Sequence, residues 1–249
     1  MKRSATPRGV RALVLVGAIV GVVTVGFAAP AFAPPPPLAH VVGGFGQSVN
    51  PNKTISAQVN QPVEQFHTLV VSVATGTFAG DVGCSDDAHN SYQVVAGKNT
   101  GNGRLFVCVA PIENALASGA KVTATYPGFS GVSAISVVEF DDLLAADSDD
   151  TSTGAGSNPP VNSGSLCLDG GYILFGVAAN TNVSTFDADF PPWQDLLPTQ
   201  SGGGGAAKRT LTPEWQPLQF GGCSHQALTG HLTGSGFWQA AIIALHLTS

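Results

Sequence analysis

Two acidic side chains near the middle of the chain are spaced as a pair that could act on a glycosidic bond. Glu139 and Asp141 stand at positions i and i+2, and in an extended strand this spacing puts both carboxylates on one face. Glycoside hydrolases use two carboxyl groups about 5 to 10 Å apart, one as the acid and the other as nucleophile or base. The competing interpretation is a strand that ends in a solvated acidic segment. We favour the second interpretation and assign no catalytic residue, so glycan cleavage with Glu139 and a nearby Asp stays the alternative function.

Other catalytic and metal-binding patterns do not support an assignment. The segment Gly128–Val132 comes closest to the Gly-x-Ser-x-Gly turn of serine hydrolases and fails at its last position. His225 and His231 are six residues apart, a poor spacing for one metal on one strand face. The Asp141–Asp150 segment has carboxylates suited to Ca²⁺ but lacks the glycine and distal glutamate of an EF-hand loop. We predict no metal and no cofactor, while calcium binding by this segment stays open.

Aromatic residues indicate a binding function instead. The faces of tryptophan rings bind the apolar side of a sugar ring. Trp238 falls inside an apolar segment and is expected in the core, whereas Trp193 and Trp215 stand beside proline-containing turns. Trp193 and Trp215 are therefore the candidate ligand platform of a non-catalytic module that binds a surface polysaccharide or another exported protein.

The four cysteines predict two disulfides. Cys84, Cys108, Cys167 and Cys223 are separated by 24, 59 and 56 residues, without the close Cys-x-x-Cys pairs of a zinc site. Three pairings are open. Pairing within each half of the chain crosses the fewest predicted elements, so we expect Cys84–Cys108 and Cys167–Cys223.

The first 31 residues have the order of a secretory signal peptide. A basic head from Lys2 to Arg11 precedes an uncharged apolar run from Ala12 to Ala29. We expect cleavage after Ala31; the alternative is an uncleaved anchor, because the run is near membrane-spanning length. Residues 32–38 are then a proline-rich linker. The sequence predicts a secreted or cell-wall-associated protein with no stable membrane insertion after cleavage.

Removal of the signal peptide leaves an acidic chain. Four of the ten Lys and Arg residues and none of the sixteen Asp and Glu residues lie in residues 1–31, so the remainder has six basic and sixteen acidic side chains, a net charge of −10. This balance argues against nucleic acid and anionic membranes as partners.

Short β-rich runs separated by Gly, Asn, Pro and Ser predict an all-β protein. The alternation puts Leu69, Val71 and Val73 on one core-facing side of a strand, and it puts Leu105, Val107 and Val109 on one side of another. The predicted strands are Thr54–Val59, Thr68–Ala74, Tyr92–Ala96, Leu105–Ala110, Val122–Tyr126, Val132–Phe140, Gly171–Ala178, Trp193–Leu197, Lys208–Leu211, Gln226–Leu232 and Phe237–Leu247. Two of these runs, Tyr172–Ala178 and Phe237–Leu247, are apolar on both faces and are expected to be central strands.

These strands predict one β-sandwich domain of two packed sheets over residues 39–249. The composition changes at residues 141–164, where five Asp residues are followed by Thr, Ser, Gly, Asn and Pro. We interpret residues 141–164 as a long acidic and polar loop between two halves of one domain, because neither half has enough strands to close a core.

Four segments give the chain a family resemblance that spans residues 41–247. They are His67–Val73, Asp86–Tyr92, Val137–Phe140 and Phe237–Ile243. Together they resemble the jelly-roll-like β-sandwich of bacterial exported proteins and phage structural proteins, which mostly have no defined activity. In the turn Asp86–Tyr92, His89 stands where that family usually has Gly. The resemblance implies the fold and no catalytic residue, and it adds a second alternative function, a self-assembling surface or phage-like structural protein.

Overall fold

In the computed structural model, the described residues form β-strands and no helix. It describes residues 39–47, 53–127, 131–142, 144–146, 151–157, 160–168, 172–181, 186–189, 193–201, 208–217 and 224–247. These residues contain twenty β-strands, so the prediction of an all-β protein is confirmed. They all belong to one compact unit, Pro36–Ser249. No helix long and apolar enough to cross a membrane occurs among them. The predicted signal peptide and linker, residues 1–38, lie outside the described residues.

The central sheet is antiparallel and buried on both faces. Its strands are β1 (Ala39–Gln47), β3 (Thr68–Thr75), β5 (Gln93–Thr100), β6 (Gly103–Pro111) and β8 (Ser133–Phe140), in the order β1, β8, β3, β6, β5. On β3, Leu69, Val71 and Val73 face one core while Val70 and Ala74 face another. The core positions predicted on β3 are therefore confirmed, and those on β6 are buried as well.

A second large sheet packs on one face of the central sheet. Its strands are β9 (Leu144–Ala145), β10 (Thr151–Gly156), β13 (Tyr172–Asn180), β15 (Gln194–Asp195), β16 (Thr199–Gln200), β17 (Thr210–Pro217) and β20 (Trp238–Leu247). The first core lies between these two sheets. At its centre Phe140 meets the rings of Phe175 and Trp215 edge to face, with centroids 6.4 and 6.2 Å apart. The expected central strands, β13 and β20, lie side by side here.

The outer sheet covers the opposite face of the central sheet. Its strands are β2 (Thr54–Gln58), β4 (Gly83–Asp86) and β7 (Lys121–Thr125), in the order β2, β7, β4. Alternation turns Ile55 and Ala57 of β2 inward, where they meet β3 and β8 in a second core. Tyr126 stacks on Phe78 in that core, with ring centroids 5.3 Å apart.

Two small sheets cover the remaining face of the second large sheet. One contains β11 (Val161–Asn162), β14 (Phe186–Ala188) and β19 (Thr229–Leu232), and the other contains β12 (Leu166–Leu168) and β18 (Ser224–Gln226). Leu174, Ala178 and Ile242 supply the apolar surface beneath them. The described residues thus form five stacked sheets, where the sequence predicted two.

The prediction of one long loop at residues 141–164 is wrong. This segment contains β9, β10 and β11, and β10 pairs with β20 over six residues, from Thr151↔Ile243 to Gly156↔Trp238. β10 is an edge strand with the sequence Thr-Ser-Thr-Gly-Ala-Gly, and all six residues are half-buried. Because it has no bulky apolar side chain, the strand produces no alternation pattern.

The turn after β4 is built around the Asp86 carboxylate. Oδ1 accepts hydrogen bonds from the backbone N–H groups of Ala88 (2.9 Å) and Asn90 (3.1 Å). Oδ2 accepts from Asn90 Nδ2 (2.9 Å) and from the Tyr92 hydroxyl (3.0 Å). Burial and the Asp86 charge raise the pKa of Tyr92, which therefore stays a donor. His89 has φ 61°, a left-handed backbone that glycine adopts more easily than histidine.

Candidate functional site

Glu139 lies near the end of β8 between two histidines. His67 Nδ1 is 2.7 Å from Glu139 Oε1, and His40 Nε2 is 2.9 Å from Glu139 Oε2. His40 is directly opposite Glu139 across the β1–β8 pair, and His67 precedes β3 on the other side. The glutamate is only 2% exposed. His67 therefore holds one carboxylate oxygen by a hydrogen bond, while His40 lies close to the other oxygen, which has no hydrogen-bond partner.

This geometry differs from the carboxylate pair that glycosidases use. His40 lies between Glu139 and Asp141, since its Nδ1 is 3.8 Å from Asp141 Oδ1 while its Nε2 contacts Glu139. The side chain of Gln61 also contacts His40. A buried carboxylate beside imidazole orients the ring, as in a catalytic triad, and does not itself meet a sugar. The structure thus brings the two predicted carboxylates to one region but separates them by a histidine.

The side chains around Glu139 do not form a metal centre. Within the described ranges, no group of three or more His, Cys, Asp or Glu side chains could hold a metal ion. His231 pairs with Asp189, with Nδ1 and Oδ1 2.5 Å apart. The acidic residues at positions 147, 149 and 150 lie outside the described residues, so calcium binding there stays untested.

The two tryptophans of the expected ligand platform lie on opposite faces of the second large sheet. Trp215 is 4% exposed and packs in the first core. Trp193 is half-buried on the other face, beneath the small sheets. The rings therefore do not form one platform, and Trp215 offers no face to a ligand. Trp238 is buried, as expected from its apolar segment.

The first predicted disulfide is confirmed. Cys84 of β4 is bonded to Cys108 of β6, with Cα atoms 6.3 Å apart, so the bridge joins the outer sheet to the central sheet. Cys167 is also disulfide-bonded. Cys223 lies outside the described residues, and the Cys167–Cys223 pairing stays a prediction.

A buried glutamate that the sequence did not single out lies in the middle of β17. Glu214 is 0% exposed, and neither carboxylate oxygen has a hydrogen-bond partner. It is opposite Asp195 on one side and Gly176 on the other. Burial, with the charges of Asp195 and Asp187, raises the pKa of Glu214 to about 8. Glu214 is thus a protonated acid at neutral pH, but no substrate reaches it in this conformation.

A polar groove of about 560 Å³ lies between β1 and the outer sheet and is here called the Phe45 groove. Phe45 lies on the edge strand β1 and is 47% exposed. Alternation puts it on the same face as Gly43, which allows β1 to approach β2, because a Cβ at Gly43 would be 2.8 Å from the Gln58 carbonyl oxygen. A half-exposed aromatic ring therefore lines the groove.

The other wall of the Phe45 groove consists of amide, hydroxyl and ammonium groups. The outward residues of β2 and β7 face one another, with Gln58 opposite Lys121 and Ser56 hydrogen-bonded to Thr123 (2.8 Å). The remaining polar lining residues are Asn60 and Ser118, whose hydroxyl donates to the Asn60 carbonyl (3.2 Å). These groups can donate to and accept from a hydroxyl-rich ligand.

Backbone hydrogen bonds fix the walls of the Phe45 groove. Asn60 N–H donates to Val42 O (2.7 Å), which ties the segment after β2 to β1. Val59 N–H donates to Ala120 O (2.9 Å), and Gly119 N–H donates to Val59 O (2.8 Å). The groove is therefore formed before any ligand binds, which lowers the entropy lost on binding.

Sequence reasoning missed the Phe45 groove because its parts are far apart in the chain. Phe45 and Lys121 are 76 positions apart, and neither belongs to a motif. The only local signal is a large aromatic residue within the glycine-rich segment Gly43–Gly46, where no core residue is needed.

The fold and the groove together define the class: an all-β, disulfide-bonded protein of stacked antiparallel sheets with an aromatic and polar groove at one edge. The chain matches no family model, no curated protein and no solved structure.

Proposed function

We propose that this chain is an exported, non-catalytic β-sandwich module, jelly-roll-like in fold, that binds a surface polysaccharide in the Phe45 groove. The observation that carries the proposal is the half-exposed ring of Phe45, which lines one groove together with amide, hydroxyl and ammonium side chains. Sugars offer an apolar C–H face to an aromatic ring and hydroxyls to the polar groups around it. The Phe45 groove thus replaces Trp193 and Trp215 as the expected ligand platform.

The location outside the cytoplasm is part of the proposal. Its support is the secretory pattern of residues 1–31 and the Cys84–Cys108 bridge, since disulfides persist in oxidising compartments. A cell-wall or extracellular site would also bring the groove into contact with polysaccharide. Recovery of the protein with Phe32 at its N-terminus would support export, and an intact Met1 in a membrane fraction would contradict it.

Phe45→Ala tests the binding site. We expect this variant to lose most of its affinity for polysaccharides retained by the wild-type protein, measured by affinity electrophoresis in gels containing a glucan, a mannan or a xylan. The matched control is Phe66→Ala, which removes another exposed ring, 63% accessible, from a position outside the groove. Equal retention of Phe45→Ala and the wild-type protein on every polysaccharide would reject the groove as the binding site.

The alternative is a glycan-active enzyme centred on Glu139. The observation that favours it is the 2.7 Å contact with His67, because a carboxylate that orients a histidine can make it a general base. Glu139→Gln decides between the two functions. We expect it to leave polysaccharide binding unchanged; loss of a polysaccharide-cleaving activity of the wild-type protein, at an unchanged melting temperature, would establish the enzyme instead.

A further inference from the structure

We infer that a second groove, beside Phe237, binds one uncharged sugar unit of the same polysaccharide. The inference deepens the proposed function and rests on it for the class of ligand. The second groove has a volume of about 290 Å³ and lies where β20 begins, β10 ends and the β5–β6 turn closes over them. Its size suits one sugar unit of a polymer, whereas the Phe45 groove is about twice as large.

Aromatic side chains form one side of the second groove. Phe237 and Trp238 both line it, and Phe237 is 43% exposed whereas Trp238 is 7% exposed. The Trp238 ring lies directly on Gly156, because a Cβ there would be 2.7 to 2.9 Å from three ring atoms. Glycine at position 156 therefore leaves room for the Trp238 ring, which lines the second groove with Phe237.

The opposite side of the second groove is the β5–β6 turn, which other strands hold in place. Gln239 Nε2 donates to the carbonyls of Gly103 (2.9 Å) and Lys98 (3.1 Å). Arg209 Nη2 donates to the Asn102 carbonyl (2.9 Å). A site whose rim is fixed before binding loses less entropy when a ligand binds.

The charge of the lining selects the ligand. The polar residues that line the second groove are Thr100, Asn102 and Ser157, and the described lining includes no charged side chain. The guanidinium of Arg209, which lines the adjoining pocket, is engaged with three backbone carbonyls. Because the chain beyond residue 31 has a net charge of −10, an acidic ligand would also be repelled. A neutral sugar fits, with its C–H face on Phe237 and its hydroxyls toward Thr100, Asn102 and Ser157.

The experiment compares Phe45→Ala, Phe237→Ala and the double variant in calorimetric titrations with a tetrasaccharide of the uncharged polysaccharide that the wild-type protein retains. We expect two tetrasaccharides per wild-type molecule and one per molecule of either single variant. Affinity for the full polymer should fall at least about tenfold in each single variant, because two linked sites bind a polymer more tightly than one.

Tryptophan fluorescence gives a second measurement that is specific to the second groove. Trp238 lines it, and neither Trp193 nor Trp215 does. Saturation with the tetrasaccharide should change the emission of the wild-type protein and of Phe45→Ala, and should leave the emission of Phe237→Ala unchanged.

The outcomes separate the two proposals. A stoichiometry of one that Phe237→Ala leaves unaltered would overturn the second groove while the Phe45 groove stands, and so would tighter binding of polygalacturonate than of the uncharged polymer by Phe45→Ala, which keeps only the second groove. Unaltered binding by Phe45→Ala would instead overturn the proposed function at the Phe45 groove. The Phe66→Ala variant should keep both sites.

Discussion

Glu214 carries a proton at neutral pH because nothing around it replaces the water that burial removes. Its pKa is about 8 in the folded protein, against an ordinary value of 4.5. Between these two pH values the folded state binds a proton that the unfolded state releases. The contribution of protonated Glu214 to the free energy of unfolding is fully present below pH 4.5. As the pH rises from 4.5 toward 8, the free energy of unfolding falls by about 1.4 kcal/mol per pH unit.

We therefore predict that Glu214→Gln removes most of this pH dependence. Urea unfolding at pH 5, 7 and 8.5 should show the wild-type free energy of unfolding falling with pH and that of the variant staying nearly constant. Glu64→Gln is the control, because Glu64 is exposed and its loss should leave the pH profile unaltered. Parallel profiles for the wild-type protein and Glu214→Gln would contradict the assignment.

At His89, the backbone conformation affects the stability of the protein more than the side chain does. An L-residue at φ 61° has its Cβ close to neighbouring backbone atoms, at a cost of about 1 to 2 kcal/mol that glycine avoids. Because the His89 side chain is exposed, His89→Gly should stabilise the protein by about 1 kcal/mol. Thermal unfolding checks this, and His89→Ala should give little gain because alanine keeps the Cβ. A lower melting temperature for His89→Gly would show that the side chain has a stabilising partner.

At the scale of elements, the Cys84–Cys108 bridge fixes one edge of the outer sheet to the centre of the fold. A bridge between residues 24 positions apart restricts the unfolded chain by roughly 3.5 kcal/mol on the chain-entropy model. We predict that replacing both cysteines with serine lowers the free energy of unfolding by about 2 to 4 kcal/mol. Equilibrium unfolding in urea measures the loss.

The pairing of the two cysteines can be tested separately from the stability of the bridge. Peptide mapping of the unreduced wild-type protein should recover Cys84 and Cys108 in one linked pair of fragments. A variant as stable as the wild-type protein, before and after reduction, would show that the bridge contributes nothing to stability.

Strands with bulky alternating side chains could be predicted from the sequence, and strands shaped by their neighbours could not. β3 shows its two faces in the run Thr68–Thr75. β17 was predicted only as Lys208–Leu211, because Pro213 normally ends a strand. Pro213 fits because its carbonyl accepts from Leu196 N–H between the short strands β15 and β16, where no ladder bond to its nitrogen is needed.

Both grooves are built partly from strands that the sequence does not predict. β1 has three glycines among nine residues, so its sequence does not predict a strand. Phe45 lies on β1. The edge strand β10, inside the expected loop, forms part of the second groove. Both grooves thus require tertiary contacts that no local pattern encodes, whereas the Cys84–Cys108 pair could be predicted because it follows from the order of neighbouring segments.

At the scale of the whole molecule, the central sheet belongs to two cores at once. Val70 of β3 faces the first core and Val71 faces the second, and β6 and β8 alternate in the same way. Loss of either core would expose one apolar face of three strands to water. This exposure costs about 25 cal/mol of free energy for each Å² of apolar surface. Neither the outer sheet nor the second large sheet can separate from the central sheet without that loss.

We therefore predict that the described layers unfold in a single cooperative transition. Tryptophan fluorescence reports on one side of the molecule only, because all three tryptophans pack in the first core or beneath the small sheets. Near-ultraviolet dichroism of a variant in which each tryptophan and Tyr172 are replaced by phenylalanine, here called the Trp-free variant, reports on Tyr126 and Tyr92 in and beside the second core. Fluorescence, far-ultraviolet dichroism and calorimetry of the wild-type protein should give one midpoint, with equal van't Hoff and calorimetric enthalpies. For the Trp-free variant, the near-ultraviolet and far-ultraviolet dichroism transitions should also have the same midpoint. A fluorescence transition that precedes the loss of the second core would show that the central sheet does not couple its two faces.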